Sequence, residues 1–269
     1  MTINTKRLVY PFAYYGGKVR LFPWIVENLP PALSFVDLYG GSGVVALNVV
    51  YQYKRVVYND LNSDIVNFFW VLREFPDELI SKITLTPCSR DEHARSHEET
   101  EDPIESARRT FVRIIQSYGQ IGTKNSKSGW ILPQKQGNRT SSILSRVNGL
   151  GGVVDRLREM EIENRPAMTL IEKESRSDTL LFADPPYVHS SRNARHGYAF
   201  EMSDEDHAAM CEAFNRSKAN VVLCGYENEV YNDLLRGWHV VKKEVVSTAA
   251  ASKRGKKTNN RVECLWIKR

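Results

Sequence analysis

The 269-residue chain carries 37 lysines and arginines against 32 aspartates and glutamates, a formal net charge of +5, and 42% hydrophobic residues. That apolar share excludes a wholly disordered chain and suits one large domain, or a core domain with a smaller insert. The mild positive balance is compatible with a polyanionic partner and proves none, so the placement of the charge matters more than its sum. Cys88, Cys211, Cys224 and Cys264 form no C-x-x-C pair, which argues against a zinc ribbon or a thioredoxin-like site. Their wide spacing reads as reduced thiols. Lys6 and Arg7 are followed by no apolar signal-like run. No stretch approaches the ~18 apolar residues of a membrane span, so no membrane association and a cytoplasmic location are expected.

In chain order, the first strand is Ser34-Phe-Val-Asp-Leu38. It runs into Tyr39-Gly-Gly-Ser-Gly43 and then a helix from Val44 to Tyr51, the opening of a nucleotide-binding α/β unit. A second strand at Arg55–Tyr58 ends in Asn59-Asp60. A helix follows from about Ser63 to Phe75, with Ile65, Val66, Phe69 and Leu72 in helical phase. The middle, residues 76–165, has a different character. It holds an acidic, histidine-bearing stretch from Asp91 to Asp102, then a helix after Pro103 with the apolar face Ile104, Ala107, Phe111, Ile114, Ile115 and Tyr118. Gly119 to Asn138 is polar, with Trp130, Ile131 and Leu132 embedded, and reads as an exposed hairpin or loop. The α/β pattern resumes at Ala167–Ile171 and at Thr179–Ala183. A helix begins near Ser203, whose S-x-x-D with Asp206 resembles a capping box. Asn220–Gly225 is another buried strand, and Trp238–Val246 with Val262–Ile267 forms a hairpin around the basic loop Ser252–Arg261. The expected organisation is a catalytic domain from 1–75 and 166–269 interrupted by an inserted subdomain at 76–165.

The strongest chemical signal is Asp184-Pro185-Pro186-Tyr187 at the carboxyl end of an apolar strand, where open α/β sheets place their sites. An aromatic amine is a poor nucleophile because its lone pair is delocalised into the ring. The Asp184 carboxylate and the Pro185 carbonyl could each accept one amine hydrogen and turn the lone pair towards an electrophile. Pro186 stiffens the turn, and Tyr187 offers a ring for a flipped-out base to stack on. Alone, the string also reads as a plain turn, because Asp-Pro and Pro-Pro are turn formers. The second signal is Asp37-Leu-Tyr-Gly-Gly-Ser-Gly43, which does not match G-x-G-x-x-G. Its glycines let backbone approach a ligand, and an acidic residue ahead of them suits a cationic ligand end, not a phosphate. Asp60, about twenty residues on, is placed to accept hydrogen bonds from ribose hydroxyls. The third is Phe12-Ala-Tyr-Tyr-Gly-Gly-Lys18, whose lysine could pair with a carboxylate.

The order Tyr15-Gly-Gly-Lys18, Asp37-Leu-Tyr-Gly-Gly-Ser-Gly43, Asn59-Asp-Leu-Asn62 and Asp184-Pro-Pro-Tyr187 resembles the Dam family (D12 class, alpha type) of DNA adenine-N6 methyltransferases, of a phage- or prophage-like kind. Similarity continues through Arg195-His-Gly-Tyr198, Met202–His207, Gly225-Tyr226, Gly237-Trp238 and Asn260–Trp266. The resemblance implies a class I, Rossmann-like fold with a mixed seven-stranded sheet and an inserted, mostly helical DNA-recognition subdomain. It implies S-adenosylmethionine as cofactor and double-stranded DNA as substrate, methylated site-specifically after base flipping. Tyr14, Tyr15, Lys18, Asp37, Gly41, Gly43, Asp60 and Asp184 would hold the cofactor, with Lys18 near its carboxylate. Asp184, Pro185, Pro186 and Tyr187 would form the catalytic motif. Tyr14 stands where the family often has Trp, and Ser42 where Ala is frequent. An Asp at the head of the motif favours adenine over the cytosine and glutamine substrates of the S-P-P-Y and N-P-P-Y forms. A cognate restriction endonuclease, the recognition sequence and the oligomeric state stay open.

Two basic segments suit phosphate contacts, which give affinity while base-edge contacts give specificity. Lys124, Lys127, Lys135 and Arg139 surround Trp130, and Lys253, Arg254, Lys256, Lys257 and Arg261 lie in the late loop. Tyr118, Gln120, Lys124 and Asn125 fall where the family places its DNA-inserting hairpin, and Arg192 and Arg195 follow the catalytic motif. His93 and His97 sit four apart among acidic residues. The polarity of that stretch reads as a solvated surface, and no metal is expected.

Overall fold

Short apolar runs rich in Val, Leu and Phe, each stopped by Asn, Asp or Gly, become the inner strands of one mixed sheet. The computed structural model describes residues 8–117, 129–131, 139–188, 200–246 and 260–269. The strands are β1 (Ser34–Asp37), β2 (Arg55–Asn59), β3 (Glu161–Glu163), β4 (Thr179–Ala183), β5 (Asn220–Tyr226), β6 (His239–Val246) and β7 (Asn260–Lys268). They lie in the order β3-β2-β1-β4-β5-β7-β6. The first five pair in parallel, and β7 runs antiparallel to both β5 and β6. The sheet is mixed and seven-stranded, as the resemblance implies. The helices are α1 (Phe22–Glu27), α2 (Val44–Val49), α3 (Ser63–Glu74), α4 (Pro76–Leu85), α5 (Arg90–Arg95), α6 (Pro103–Gln116), α7 (Arg139–Asn148), α8 (Leu150–Leu157), α9 (Ala167–Lys173), α10 (Asp204–Arg216) and α11 (Glu229–Leu234).

Alternation along the strands feeds two cores. Phe35, Tyr58, Leu180 and Phe182 face a layer that contains α1, α2, α3, α6 and α8. Val36, Val57, Leu181 and Leu223 face α9, α10 and α11. Phe35 and Phe182 stack at 5.9 Å across adjacent strands. The helices begin where local chemistry directs. Asn62 caps α3 by accepting from the Asp64 amide, and Ser203 with Asp206 completes the capping box of α10.

Several elements carry no periodic signature strong enough to read beforehand. Ala167–Lys173 is a helix, and the strand that precedes it is the three-residue, partly exposed β3. β3 falls within 76–165 yet pairs with β2 in the main sheet. Residues of α4, α6 and α8 likewise share the core beneath the sheet, with Leu79, Phe111, Ile114, Leu150 and Leu157 buried there. His93 corrects the expectation of a solvated stretch. It is buried, and its Nε2 lies 2.9 Å from Ser117 Oγ at the end of α6. Burial pushes its pKa down, with His97 and Arg113 adding to the same direction. Among the described residues no cluster of three or more His, Cys, Asp or Glu could hold a metal ion, and no helix is long and apolar enough to cross a membrane. Trp266 is core, while Trp238 is half-buried with its indole donating to Asn215.

Arg113 joins the middle region to the rest. It is 1% exposed, pairs with Asp64 of α3 at 2.8 Å, and donates to the Ser96 carbonyl and to Thr110. Removing one member of a buried pair leaves the other uncompensated and costs about 3 kcal/mol or more. Arg113→Ala should therefore lower the urea midpoint by the equivalent of about 3 kcal/mol with an unchanged slope. A midpoint equal to that of the wild type would show that the pair contributes nothing.

Candidate active site

Three parallel strands end in carboxylates on one edge of the sheet. Asp37 closes β1, Asp60 follows β2 and Asp184 follows β4. All three line a single cavity of about 330 Å³ together with Tyr14, Tyr15 and Lys18. The topology forces this meeting, because β1 lies between β2 and β4 with parallel register.

The loop between β1 and α2 forms the floor. Gly41 and Gly43 have φ of 50° and 69°, conformations that L side chains rarely adopt. Gly40 is constrained by space instead: a Cβ there would meet the Tyr58 ring at 2.1 Å. Tyr58 donates to the Gly41 carbonyl at 2.7 Å, and the Gly41 amide donates to Asp60 Oδ2 at 2.8 Å. Asp60 Oδ1 accepts from the Asn62 amide at 2.8 Å. The loop is thus tied from below by Tyr58 and from the side by Asp60, with its backbone close to the cavity.

A second turn delivers Lys18. The Gly17 amide donates to the Tyr14 carbonyl at 2.9 Å, and Gly16 takes a φ of 76° within that turn. Lys18 then enters the cavity with its side chain 6% exposed, and Nζ lies 2.6 Å from Asp184 Oδ1. It also donates to the Gly16 carbonyl and stands 4.9 Å from the centroid of the Tyr187 ring. That ring is 6% exposed and meets Tyr226 edge-on at 4.7 Å. The Tyr187 hydroxyl donates to Glu263 Oε2 at 2.8 Å. Tyr187 is therefore packed behind Lys18 and is not a wall of the cavity, whereas Pro186 is.

The electrostatics are unbalanced. Burial pushes the Asp184 pKa up to about 6, with Lys18 pulling the other way and Glu263 adding to the rise. Burial, then the charges of Asp184 and Asp60, push Asp37 well above the usual carboxylate range. Burial also raises Asp60, opposed by its backbone donors. Asp37 Oδ1 is buried with no hydrogen-bond partner among the described residues. The lining holds five acids, Asp37, Asp60, Asp184, Glu201 and Asp206, against Lys18 and Arg165, an acidic excess that suits a ligand bringing positive charge.

The structure brings together Tyr14, Tyr15, Lys18, Asp37, Gly41, Asp60, Asp184 and Pro186 around the cavity, with Gly43 between the lining residues Ser42 and Val44. Tyr14 is raised in pKa, chiefly by burial, and hydrogen-bonds Asn62. Asn62, which stands in the sequence motif Asn59-Asp-Leu-Asn62 without an assigned role, also lines it, as do Pro166, Met168, Phe200 and Met210, which no motif marks. Their only signal would have been spatial. Tyr118, Gln120, Lys124, Asn125, Lys127, Arg192, Arg195, Lys253, Arg254, Lys256 and Lys257 lie outside the described residues, and Arg139 is described in backbone only, at the start of α7. At the mouth of that middle stretch Ser117 bridges Trp130 antiparallel, and the Ile131 amide donates to the Gln116 carbonyl.

Comparison with known proteins bears on the same motifs. A type II methyltransferase of Lactococcus lactis subsp. cremoris is 23% identical over 92% of this chain and 93% of its own length. A type II methyltransferase of Methanocaldococcus jannaschii is 30% identical over 34% of each chain. A DNA adenine methylase of Vibrio cholerae is 35% identical over 65 residues, 24% of this chain and 23% of its own. A SAM-dependent methyltransferase of known structure from Agrobacterium tumefaciens superposes over 93% of this chain and 61% of its own, at 14% identity and a TM-score of 0.39. The model of the D12 class N6 adenine-specific DNA methyltransferases matches residues 14–249, and with Asp184-Pro-Pro-Tyr187 at the end of β4 inside that span, the chain belongs to this family.

Proposed function

We propose that this adenine-specific DNA methyltransferase takes its methyl group from S-adenosylmethionine and places it on the N6 amine of an adenine turned out of double-stranded DNA. The observation that carries this reading is the pairing of Lys18 with Asp184. A primary ammonium lies 2.6 Å from the Asp184 carboxylate and 4.9 Å from the Tyr187 ring centroid. An adenine would present the same combination, an amine for the carboxylate and a flat ring for Tyr187. In this reading Lys18 yields both contacts when the base docks.

The cofactor fits the residues present. Its ammonium suits Asp37 Oδ1, which has no hydrogen-bond partner among the described residues, its ribose suits Asp60, and its carboxylate suits Lys18. When bound, it supplies an electrophilic methyl group on a sulfonium. The chain's own work is positional. Asp184 accepts one amine hydrogen, the Pro185 carbonyl accepts another, and the surplus proton leaves to water. Residues 1–75 and 166–269 carry this chemistry in our reading, and 76–165 carry target recognition, with Tyr118, Gln120, Lys124, Asn125, Lys127 and Arg139 among the DNA contacts. Arg192, Arg195, Lys253, Arg254, Lys256 and Lys257 add phosphate contacts.

The test is methylation of unmethylated genomic DNA with labelled cofactor, read by sequencing for N6-methyladenine. The wild type should mark one short motif and Asp184→Ala none. Cofactor binding without any methyladenine would overturn the DNA reading and direct the same assay to RNA. The pH profile adds a second check. Asp184 acts as carboxylate, so kcat/KM, which reports the free enzyme, should be level above about pH 6 and fall as pH drops through about 6. A flat profile from pH 5 to 8 would remove Asp184 from the role.

Asp37 offers a stability readout. Its raised pKa in the folded state means that its stabilising contribution is present at low pH and lost as pH rises. Asp37→Asn has no such loss, so without cofactor it should unfold at a higher temperature than the wild type at pH 8, by the equivalent of about 1–3 kcal/mol. The same variant should bind S-adenosylmethionine at least tenfold more weakly in calorimetry, at about 1.4 kcal/mol per tenfold. Unchanged affinity would take Asp37 out of the cofactor site.

A further inference from the structure

The strand that closes the sheet carries a buried carboxylate aimed at the catalytic motif. Glu263 lies near the start of β7, is 8% exposed, and accepts a hydrogen bond from the Tyr187 hydroxyl at 2.8 Å. It stands in register with Tyr226 at the end of β5 and with Lys243 on β6. Tyr226 in turn packs edge-on against Tyr187 at 4.7 Å. Arg261, two residues earlier on the same face of β7, donates to the Tyr226 hydroxyl and lies 5.5 Å from its ring. Tyr187 is thus gripped at the hydroxyl by Glu263 and at the edge by Tyr226, while Lys18 covers its face.

We propose that Glu263 is a positioning residue for methyl transfer: by holding the Tyr187 hydroxyl it sets the angle of the ring and of the turn that presents Asp184 and the Pro185 carbonyl. The argument is one of rotational freedom. Two prolines stiffen the turn from Asp184 to Tyr187, but a tyrosine ring still rotates about its first side-chain bonds unless its far end is tied. A ring that tilts away from the entering base loses stacking and moves the turn that aims the amine. Small displacements of this kind reduce the rate without removing binding. A carboxylate buried against the sheet is a costly anchor that a bulkier apolar residue could replace for packing alone. Its placement on the hydroxyl of the motif tyrosine is what packing leaves unexplained.

The inference rests on the function proposed above, and the experiment separates the two. Wild type, E263Q, E263L, Y187F and the double variant E263L/Y187F are assayed on duplex DNA bearing the methylated motif. Each is also measured for cofactor affinity by calorimetry and for base flipping by 2-aminopurine fluorescence at the target position. E263L and Y187F should each lower kcat roughly 10–100-fold, on the scale of the loss when a metal ligand is deprived of its outer hydrogen-bond partner. Cofactor affinity should not change, the fluorescence rise should shrink, and the double variant should be no worse than either single one. E263Q keeps a carbonyl acceptor for the hydroxyl and should restore most of kcat. If E263L fails to fold, Y187F and E263Q decide the matter. A wild-type kcat in Y187F, failure of E263Q to restore activity, or additive losses in the double variant would overturn the inference. A wild type inactive on DNA would overturn the functional reading, and this inference with it.

Discussion

Everything at this site depends on the meeting of three carboxylates at one edge of a parallel sheet with a single lysine set among them. Parallel strands point their carboxyl ends the same way, so the residues that close β1, β2 and β4 cannot avoid one another. Three buried acids would repel, and the protein relieves this unevenly. Asp60 is neutralised in part by the backbone amides of Gly41 and Asn62, and Asp184 by Lys18. Asp37 keeps an oxygen without a hydrogen-bond partner among the described residues. The stability given up there is the ordinary signature of a site built for something else to bind.

The backbone serves the same end. The glycine loop is closed by Tyr58 from beneath, so the ring that blocks a side chain at Gly40 also holds the Gly41 carbonyl. One residue therefore both excludes a Cβ and fixes the loop. Asp60 holds the Gly41 amide, which makes the acidic residue of β2 a structural tie as well as a candidate ligand for hydroxyls. Single-substitution losses at Asp60 would mix the two effects; Asp37 accepts from the Ala46 and Tyr39 amides and keeps one oxygen without a hydrogen-bond partner among the described residues, so Asn there, which retains an acceptor, mixes them less.

The fold and the cavity were largely legible in the sequence. Strand–glycine turn–helix at Ser34–Tyr51 and the apolar strand ahead of Asp184 rest on local patterns, and local patterns are what a sequence displays. The carboxylates were legible because each sits at a strand end. What stayed hidden depends on distance along the chain. Glu263 and Tyr187 are 76 residues apart, and Arg113 and Asp64 are 49 apart. His93 reads as solvated because its neighbours Asp91, Glu92, Glu98 and Glu99 are polar, whereas it is buried and meets Ser117, 24 residues on at the end of α6. β3 was missed because three partly exposed residues, Glu161-Ile-Glu163, show no alternation long enough to count. The helices of the middle region share the main core through side chains such as Leu79 and Leu150, which a boundary drawn on composition does not register.

The state of Asp184 follows from competing influences, of which burial is the largest. Burial favours the neutral acid, Lys18 favours the carboxylate, and Glu263 works against it again. The outcome, a pKa of about 6, leaves the group ionised near neutral pH without making it a strong base. That suits an acceptor that orients an amine. Proton removal from the amine before transfer would need a far stronger base than any carboxylate. Once the amine nitrogen has gained a fourth bond it is strongly acidic, and water suffices to take its proton. In the mechanism proposed, a site that positions and does not deprotonate needs rigidity above all, and the two prolines, the glycine-loop ties and the contacts of Glu263 and Tyr226 with Tyr187 supply it.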